Sequence, residues 1–294
     1  MNIAIIGPGA IGGTMAAWLG QNPDHAVTVC ARSPLDSISL QTPDGTLTAT
    51  PTVLTDPADA IPLDWVLVTI KTYDIASAQT WLDRLVGPQT RVAVLQNGVE
   101  HIQRFAHLLP AERIVPVVVD FPASRLSPGR YAQGLYGSMA VPVGRNGDDF
   151  VALFAGCRIA IASDADFQSR AWAKLCLNCA GAVPTLTQRG TGAVWTPELE
   201  ALIRALVEEC AAVARAEGAT IAQSVIESVV DAARNAPPTS SNSMQADRLA
   251  GRAMEIEARN GVIVRLGARH GIATPMNALM VTLLNASGSP WVQT

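Results

Sequence analysis

The feature that most limits what this chain can become is Gly7-Pro8-Gly9-Ala10-Ile11-Gly12. This G-x-G-x-x-G run stands directly behind the apolar, β-branched run 3–6 and opens a helical stretch over 10–19. In that setting each glycine has its own task. Gly7 permits a tight turn from strand to helix, Gly9 lets backbone approach a pyrophosphate, and Gly12 lets helix lie close to strand. The helix N-terminus then offers N–H groups and the positive end of its dipole to the phosphates. A dinucleotide site built on Gly7, Gly9, Ala10, Ile11 and Gly12 follows.

The rest of the first half supports that reading. Runs of strand length at 3–6, 27–31, 65–70, 92–96 and 114–119 alternate with amphipathic stretches such as 75–86 and 101–109. That rhythm predicts a parallel sheet with helices on both faces. More β structure is expected over 131–143, and a last strand over 158–162. Beyond about Ala165 the strand-like runs give way to helical patterns at 167–181, 197–217 and 247–270, with a Pro-containing loop at 235–243. The expected class is α/β: a Rossmann-type parallel-sheet domain over 1–165, followed by an all-α domain over 166–294.

Composition excludes several functions. A net charge of −4 argues against a nucleic-acid partner, which a basic face would announce. The N-terminus shows no basic region followed by a long apolar core, so no signal peptide is expected and the protein should be cytoplasmic. No apolar run reaches the roughly 20 residues of a membrane helix, so no membrane partner is expected. Five cysteines form no disulfide framework. Cys176 and Cys179 make a C-x-x-C, but no second Cys or His pair accompanies them. The expected role is that of small hydrophobes on a packed helix, with no metal site.

The choice between NAD and NADP is made after the second strand. An acid there would bind a ribose 2′-OH. This strand runs into Arg32, whose guanidinium suits a 2′-phosphate, while Asp36 stands close by as the acid that would fit the other cofactor.

Three further patterns carry chemistry. Thr69-Ile70-Lys71 and Asn97-Gly98 follow predicted strands, so Lys71 and Asn97 should stand at carboxyl ends of a parallel sheet, where such sheets bind ligands. Lys174-Leu175-Cys176-Leu177-Asn178 puts an ammonium and an amide one helical turn apart on one face. Ser243-Met244-Gln245-Ala246-Asp247 precedes Gly251-Arg252 and Glu255-Ile256-Glu257, and Gly271-Ile272-Ala273-Thr274-Pro275 comes near the end. In this order, behind the glycine motif, the chain resembles the ketopantoate reductase (2-dehydropantoate 2-reductase) family over its whole length.

The resemblance implies reduction of a small 2-keto acid by NADPH: 2-dehydropantoate to pantoate, on the route to pantothenate and coenzyme A. It implies Lys174 as the proton donor and Asn178 and Ser243 as substrate contacts, with Asn97 touching substrate and cofactor. It puts Lys71 on the cofactor phosphate side, Glu255 beside cofactor and catalytic lysine, and Ala123 as a backbone contact to the nicotinamide. Glu257 competes with Glu255, since spacing does not choose between them. Many members carry a second substrate-binding asparagine where this chain has Ala182. The pocket is then less polar, or Ser243, Asn242 or Thr185 replaces the contact.

Ser243 and Glu255 lie twelve residues apart, about 18 Å along one helix. Both reach one small ligand only if the helix breaks, and Gly251 is the expected place. Ser243 could alternatively be a plain N-cap. His270, at a helix end before Gly271, is expected to cap carbonyls. Helical domains of this type often pair, which allows a homodimer. The alternatives are a same-fold reductase of another 2-keto acid or keto-lactone, a β-hydroxyacid dehydrogenase, and an NADPH-sensing protein without turnover.

Overall fold

The apolar runs of the first half owe their parallel pairing to being buried on both faces. The computed structural model describes residues 1–288; residues 289–294 of the expected helical domain lie outside the described residues. The chain divides into two compact units, one of Met1–Phe167 and one from Gln168 onward.

In the first unit the strands, in chain order, are β1 (Asn2–Ile6), β2 (Ala26–Cys30), β3 (Ile38–Thr42), β4 (Gly45–Ala49), β5 (Thr52–Leu54), β6 (Trp65–Val68) and β7 (Arg91–Val94). Then come β8 (Ile114–Pro116), β9 (Val118–Asp120), β10 (Ala123–Ser127), β11 (Arg130–Gln133), β12 (Ser138–Pro142) and β13 (Ala160–Asp164). Its helices are α1 (Ala10–Leu19), α2 (Ile75–Leu85), α3 (His101–Phe105) and α4 (Arg145–Leu153).

The main sheet has the order β5-β2-β1-β6-β7-β8, with every pairing parallel. Alternate residues of each strand feed opposite faces. Ile3, Ile5, Trp65, Leu67 and Ala93 join one core with α1, while Ala4, Ile6, Val66, Val68, Val92 and Val94 join the other with α2. Strand order reverses at β1, with β2 on one side and β6 on the other. That switch opens the crevice where such sheets bind ligands, at the end of β1 that carries Gly7.

The expected run 114–119 is not one strand. β8 completes the main sheet, and β9 pairs with β12 in a three-stranded sheet. The run 131–143 likewise splits between β11 and β12. The segment 38–54, where no strand was expected, forms β3, β4 and β5. β3 and β4 complete a four-stranded sheet, β10-β11-β3-β4.

The second unit is helical: α5 (Phe167–Ala180), α6 (Ala182–Thr187), α7 (Pro197–Ala216), α8 (Gln223–Arg234), α9 (Ser243–Leu249), α10 (Val262–His270) and α11 (Pro275–Gly288). α7 starts where Thr196 accepts from the Leu199 N–H and Pro197 takes the first turn. It buries Ile203, Leu206, Val207 and Cys210, spaced by three or four residues. Asn277, fully buried on α11, donates to the Leu206 carbonyl (3.1 Å) and the Glu209 carboxylate (2.7 Å) and accepts from Asn260 (2.9 Å). Cys176, Cys179 and Cys210 are buried thiols, with the sulfurs of Cys176 and Cys210 3.6 Å apart. The described residues hold no cluster of potential metal ligands.

The expected helix 247–270 is broken. α9 ends at Leu249, Gly251 takes a left-handed conformation (φ 65°), and helix resumes in a π-helical turn, Glu257–Gly261, that runs into α10. His270 does not cap carbonyls. With Arg269 it binds the Glu217 carboxylate, and Gly271 (φ 67°) closes the helix. An acid within reach is a stronger partner for an imidazole than a helix-end carbonyl.

Candidate active site

The glycine motif forms the turn its spacing demands. Gly7 has φ 88°, and a Cβ there would lie 2.4 Å from the Ile70 side chain. At Gly12 a Cβ would lie 2.3 Å from the Gly7 carbonyl oxygen. Gly9 is different: a Cβ there would meet nothing within 4 Å. It borders open space at the start of α1, where the first-turn N–H groups of Ala10, Ile11 and Gly12 have no acceptor within the helix. The first turn of α1 holds no acid to compete for them. The loop is braced from behind, since Thr69 Oγ1 donates to the Gly7 carbonyl (2.7 Å) and Tyr131 to the Pro8 carbonyl (2.9 Å). An open, anion-seeking cradle of backbone N–H groups fits a dinucleotide pyrophosphate.

Arg32 follows β2 and is 81% exposed, with Nη2 2.6 Å from the Asp74 carboxylate. Asp36 is also exposed. Lys71 lies three residues past β6 and caps the turn Thr72–Asp74. Asn97 follows β7, and its segment is anchored from both sides. Gln96 donates to the Ile70 carbonyl (3.0 Å), Arg104 donates to the Asn97 carbonyl (2.8 Å), and the buried His101 ring contacts the Gln96 carbonyl (2.8 Å). Burial pushes the His101 pKa down to about 4, helped by Arg104 and opposed by the bond to Gln96. Ala123 opens β10, in register with Gln133.

In the helical unit, Lys174 and Asn178 are half-buried on α5. α5 stops at Ala180, and Gly181 leads into α6, where Ala182 is fully buried. Two expected replacements for the absent asparagine are engaged in holding this junction. Asn242 donates to the Gly181 carbonyl (2.9 Å) and accepts from the N–H groups of Met244 and Gln245, and Thr185 donates to the Gly181 carbonyl (2.7 Å). Asn242 is therefore the N-cap of α9, which corrects the plain-cap reading of Ser243. Ser243 is exposed. Glu255 is 4% exposed while Glu257 is exposed, so the two acids that spacing left equal differ in environment.

The chain matches the family model "Ketopantoate reductase PanE/ApbA" over residues 3–146 and its C-terminal counterpart over residues 166–287. It belongs to the ketopantoate reductase family. It is 55% identical to the 2-dehydropantoate 2-reductase of Caulobacter vibrioides, covering 97% of this chain and 99% of that one. It is 36% identical to the Mycobacterium tuberculosis enzyme, over 97% of both chains. Among solved structures, a ketopantoate reductase from Ralstonia eutropha superposes with a TM-score of 0.89 at 30% identity, covering 98% of each chain. A 2-dehydropantoate 2-reductase from Geobacter metallireducens superposes with a TM-score of 0.91 at 26% identity, covering 98% of this chain and all of that one. Family membership makes the chain an oxidoreductase that works with a nicotinamide cofactor and a small keto acid.

Against that family pattern, sequence reasoning missed Arg259. It stands in the π-helical turn, only 2% exposed, and its Nη2 donates to Ser243 Oγ at 2.7 Å. Its Nε is buried with no hydrogen-bond partner among the described residues. Burial pulls its pKa down, opposed by the nearby Glu255 and Asp247 carboxylates and by Cys179. A signal was present: Arg259 and Asn260 interrupt the apolar series Ile256, Ile263, Leu266 at helical spacing.

Proposed function

We propose that this chain reduces the C2 ketone of 2-dehydropantoate to the alcohol of pantoate with NADPH, a step toward pantothenate and coenzyme A. What carries the reading is that a chain of this family carries both an open glycine cradle at Gly9 and, in its helical unit, an ammonium and an amide one turn apart on α5. Gly7, Gly9, Ala10, Ile11 and Gly12 hold the pyrophosphate. Arg32 takes the 2′-phosphate, Lys71 lies on the phosphate side, and Asn97 and the Ala123 backbone face the nicotinamide. When bound, the reduced nicotinamide supplies the hydride. Lys174 stabilises the negative charge that develops on the ketone oxygen and gives that oxygen its proton. Asn178 and Ser243 orient the substrate. Glu255 is the buried carboxylate that assists Lys174.

NADPH oxidation by the purified chain with 2-dehydropantoate tests this. Lys174→Ala should lower kcat by roughly 10²–10⁴-fold, the usual share of a general acid, and leave NADPH affinity unchanged. A normal kcat in that variant refutes the mechanism. Ala182 favours one second reading, a different 2-keto acid as substrate. Reduction of such an acid without turnover of 2-dehydropantoate would establish it.

A further inference from the structure

A serine hydroxyl has one proton to give, and it can accept as well. Ser243 Oγ already accepts from Arg259 Nη2 at 2.7 Å. A guanidinium has no acceptor, so the Ser243 proton must point away from Arg259. Nor does Ser243 cap its helix, because Asn242 serves there. Its hydroxyl is thus an exposed donor with a buried cation behind it. The charges that face that cation are the carboxylates of Glu255 and Asp247, and Asp247 is bound by Arg252 Nε at 2.9 Å.

Burying a guanidinium is costly unless it is paired, and this one keeps an unpartnered Nε. A cation so placed gains from an anion brought close to it, and an anionic ligand on Ser243 brings one.

We propose that Arg259 is a positioning residue that makes Ser243 selective for an anion. The substrate carboxylate, the feature common to 2-keto acids, accepts the Ser243 proton and gains from the guanidinium behind it. This supplies the polar anchor that Ala182 cannot provide and that Asn242 and Thr185, committed to the Gly181 carbonyl, do not offer. The inference rests on the reading of Ser243 as a substrate contact.

Steady-state kinetics of the full chain at saturating NADPH test it, with 2-dehydropantoate compared with its neutral carboxamide. Wild type should favour the acid by about 10-fold or more in kcat/KM, the value of a charge-assisted bond. Arg259→Gln keeps a neutral donor and removes the charge. It should raise KM for the acid by about 10- to 100-fold, with kcat near wild type and KM for the carboxamide unchanged. Arg259→Lys should restore most of the preference.

Ser243→Ala should abolish the preference, and adding Arg259→Gln should then cost little more, the non-additivity of two residues acting as one. If Ser243→Ala leaves KM for the acid unchanged, the substrate role of Ser243 itself is refuted. If Ser243→Ala raises that KM while Arg259→Gln does not, Arg259 alone is refuted. Equal losses on acid and carboxamide with a lowered Tm would mean a structural role and overturn the proposal. If neither Arg259 variant folds, the wild-type comparison decides, and equal use of acid and carboxamide overturns it.

Discussion

Replacing Arg32 with Ala should separate the two nicotinamide cofactors. The side chain is 81% exposed and pairs with the Asp74 carboxylate at 2.6 Å. An exposed pair of this kind is worth under about 1 kcal/mol, so little holds the guanidinium back from a 2′-phosphate. A hydrogen bond to a charged group contributes about 1.5–3 kcal/mol, and giving up the Asp74 pair leaves about 1–2 kcal/mol net. Arg32→Ala should therefore weaken NADPH binding by roughly 5- to 30-fold and leave NADH binding unchanged. Asp74→Asn, which removes the competitor, should tighten NADPH binding a few-fold. Both effects should shrink in high salt, because the group is solvent-exposed. Titration calorimetry with each cofactor reads this directly. Equal losses for NADPH and NADH, or no loss for either, would show that Arg32 does not read the phosphate.

The second and third glycines of the motif should fail in different ways. Gly9→Ala should keep its Tm and lose affinity for both cofactors, whereas Gly12→Ala, which drives a Cβ to 2.3 Å from the Gly7 carbonyl oxygen, should lower Tm as well. Glu255→Gln should slow turnover far more than Glu257→Gln, because only Glu255 is buried; equal effects would refute the assignment. His101 is held neutral, with its pKa depressed to about 4 from 6.5, so the unfolded chain takes up its proton first. Its contribution is full above pH 6.5 and is lost as pH falls toward 4; it should amount to about 2 kcal/mol between pH 7.5 and pH 5. His101→Gln should flatten that part of the Tm–pH curve, and an unchanged slope would contradict it. Ala182→Asn should lower Tm and not raise kcat/KM, because the added amide enters a fully buried position at a cost of about 1–3 kcal/mol.

Local pattern was enough wherever function follows backbone geometry. The glycine spacing at 7–12 demands a strand–turn–helix, and β1, α1 and the φ of 88° at Gly7 are its direct consequence. The parallel sheet was legible for the same reason, since strands buried on both faces must be continuously apolar. The break at Gly251 could be deduced because two residues twelve apart cannot reach one small ligand along a straight helix. Strands β3 to β5 were not legible, because they are short and only partly buried, so no continuous apolar run marks them, and β3 and β5 also pair with β11 and β2, which are distant in sequence.

The sequence by itself determined the class of chemistry: a nucleotide cradle, a lysine and an amide on one helical face, and two acids to choose between. Only tertiary structure separated Glu255 from Glu257, committed Asn242 and Thr185 to a backbone carbonyl, and set Arg259 behind Ser243. The reason is physical. Motifs record what neighbouring residues must do for one another, whereas burial and the partner of a buried charge depend on helices that meet only once the chain has folded. Arg259 and Ser243 lie sixteen residues apart, across a helix break and a π-helical turn, and no spacing rule joins them.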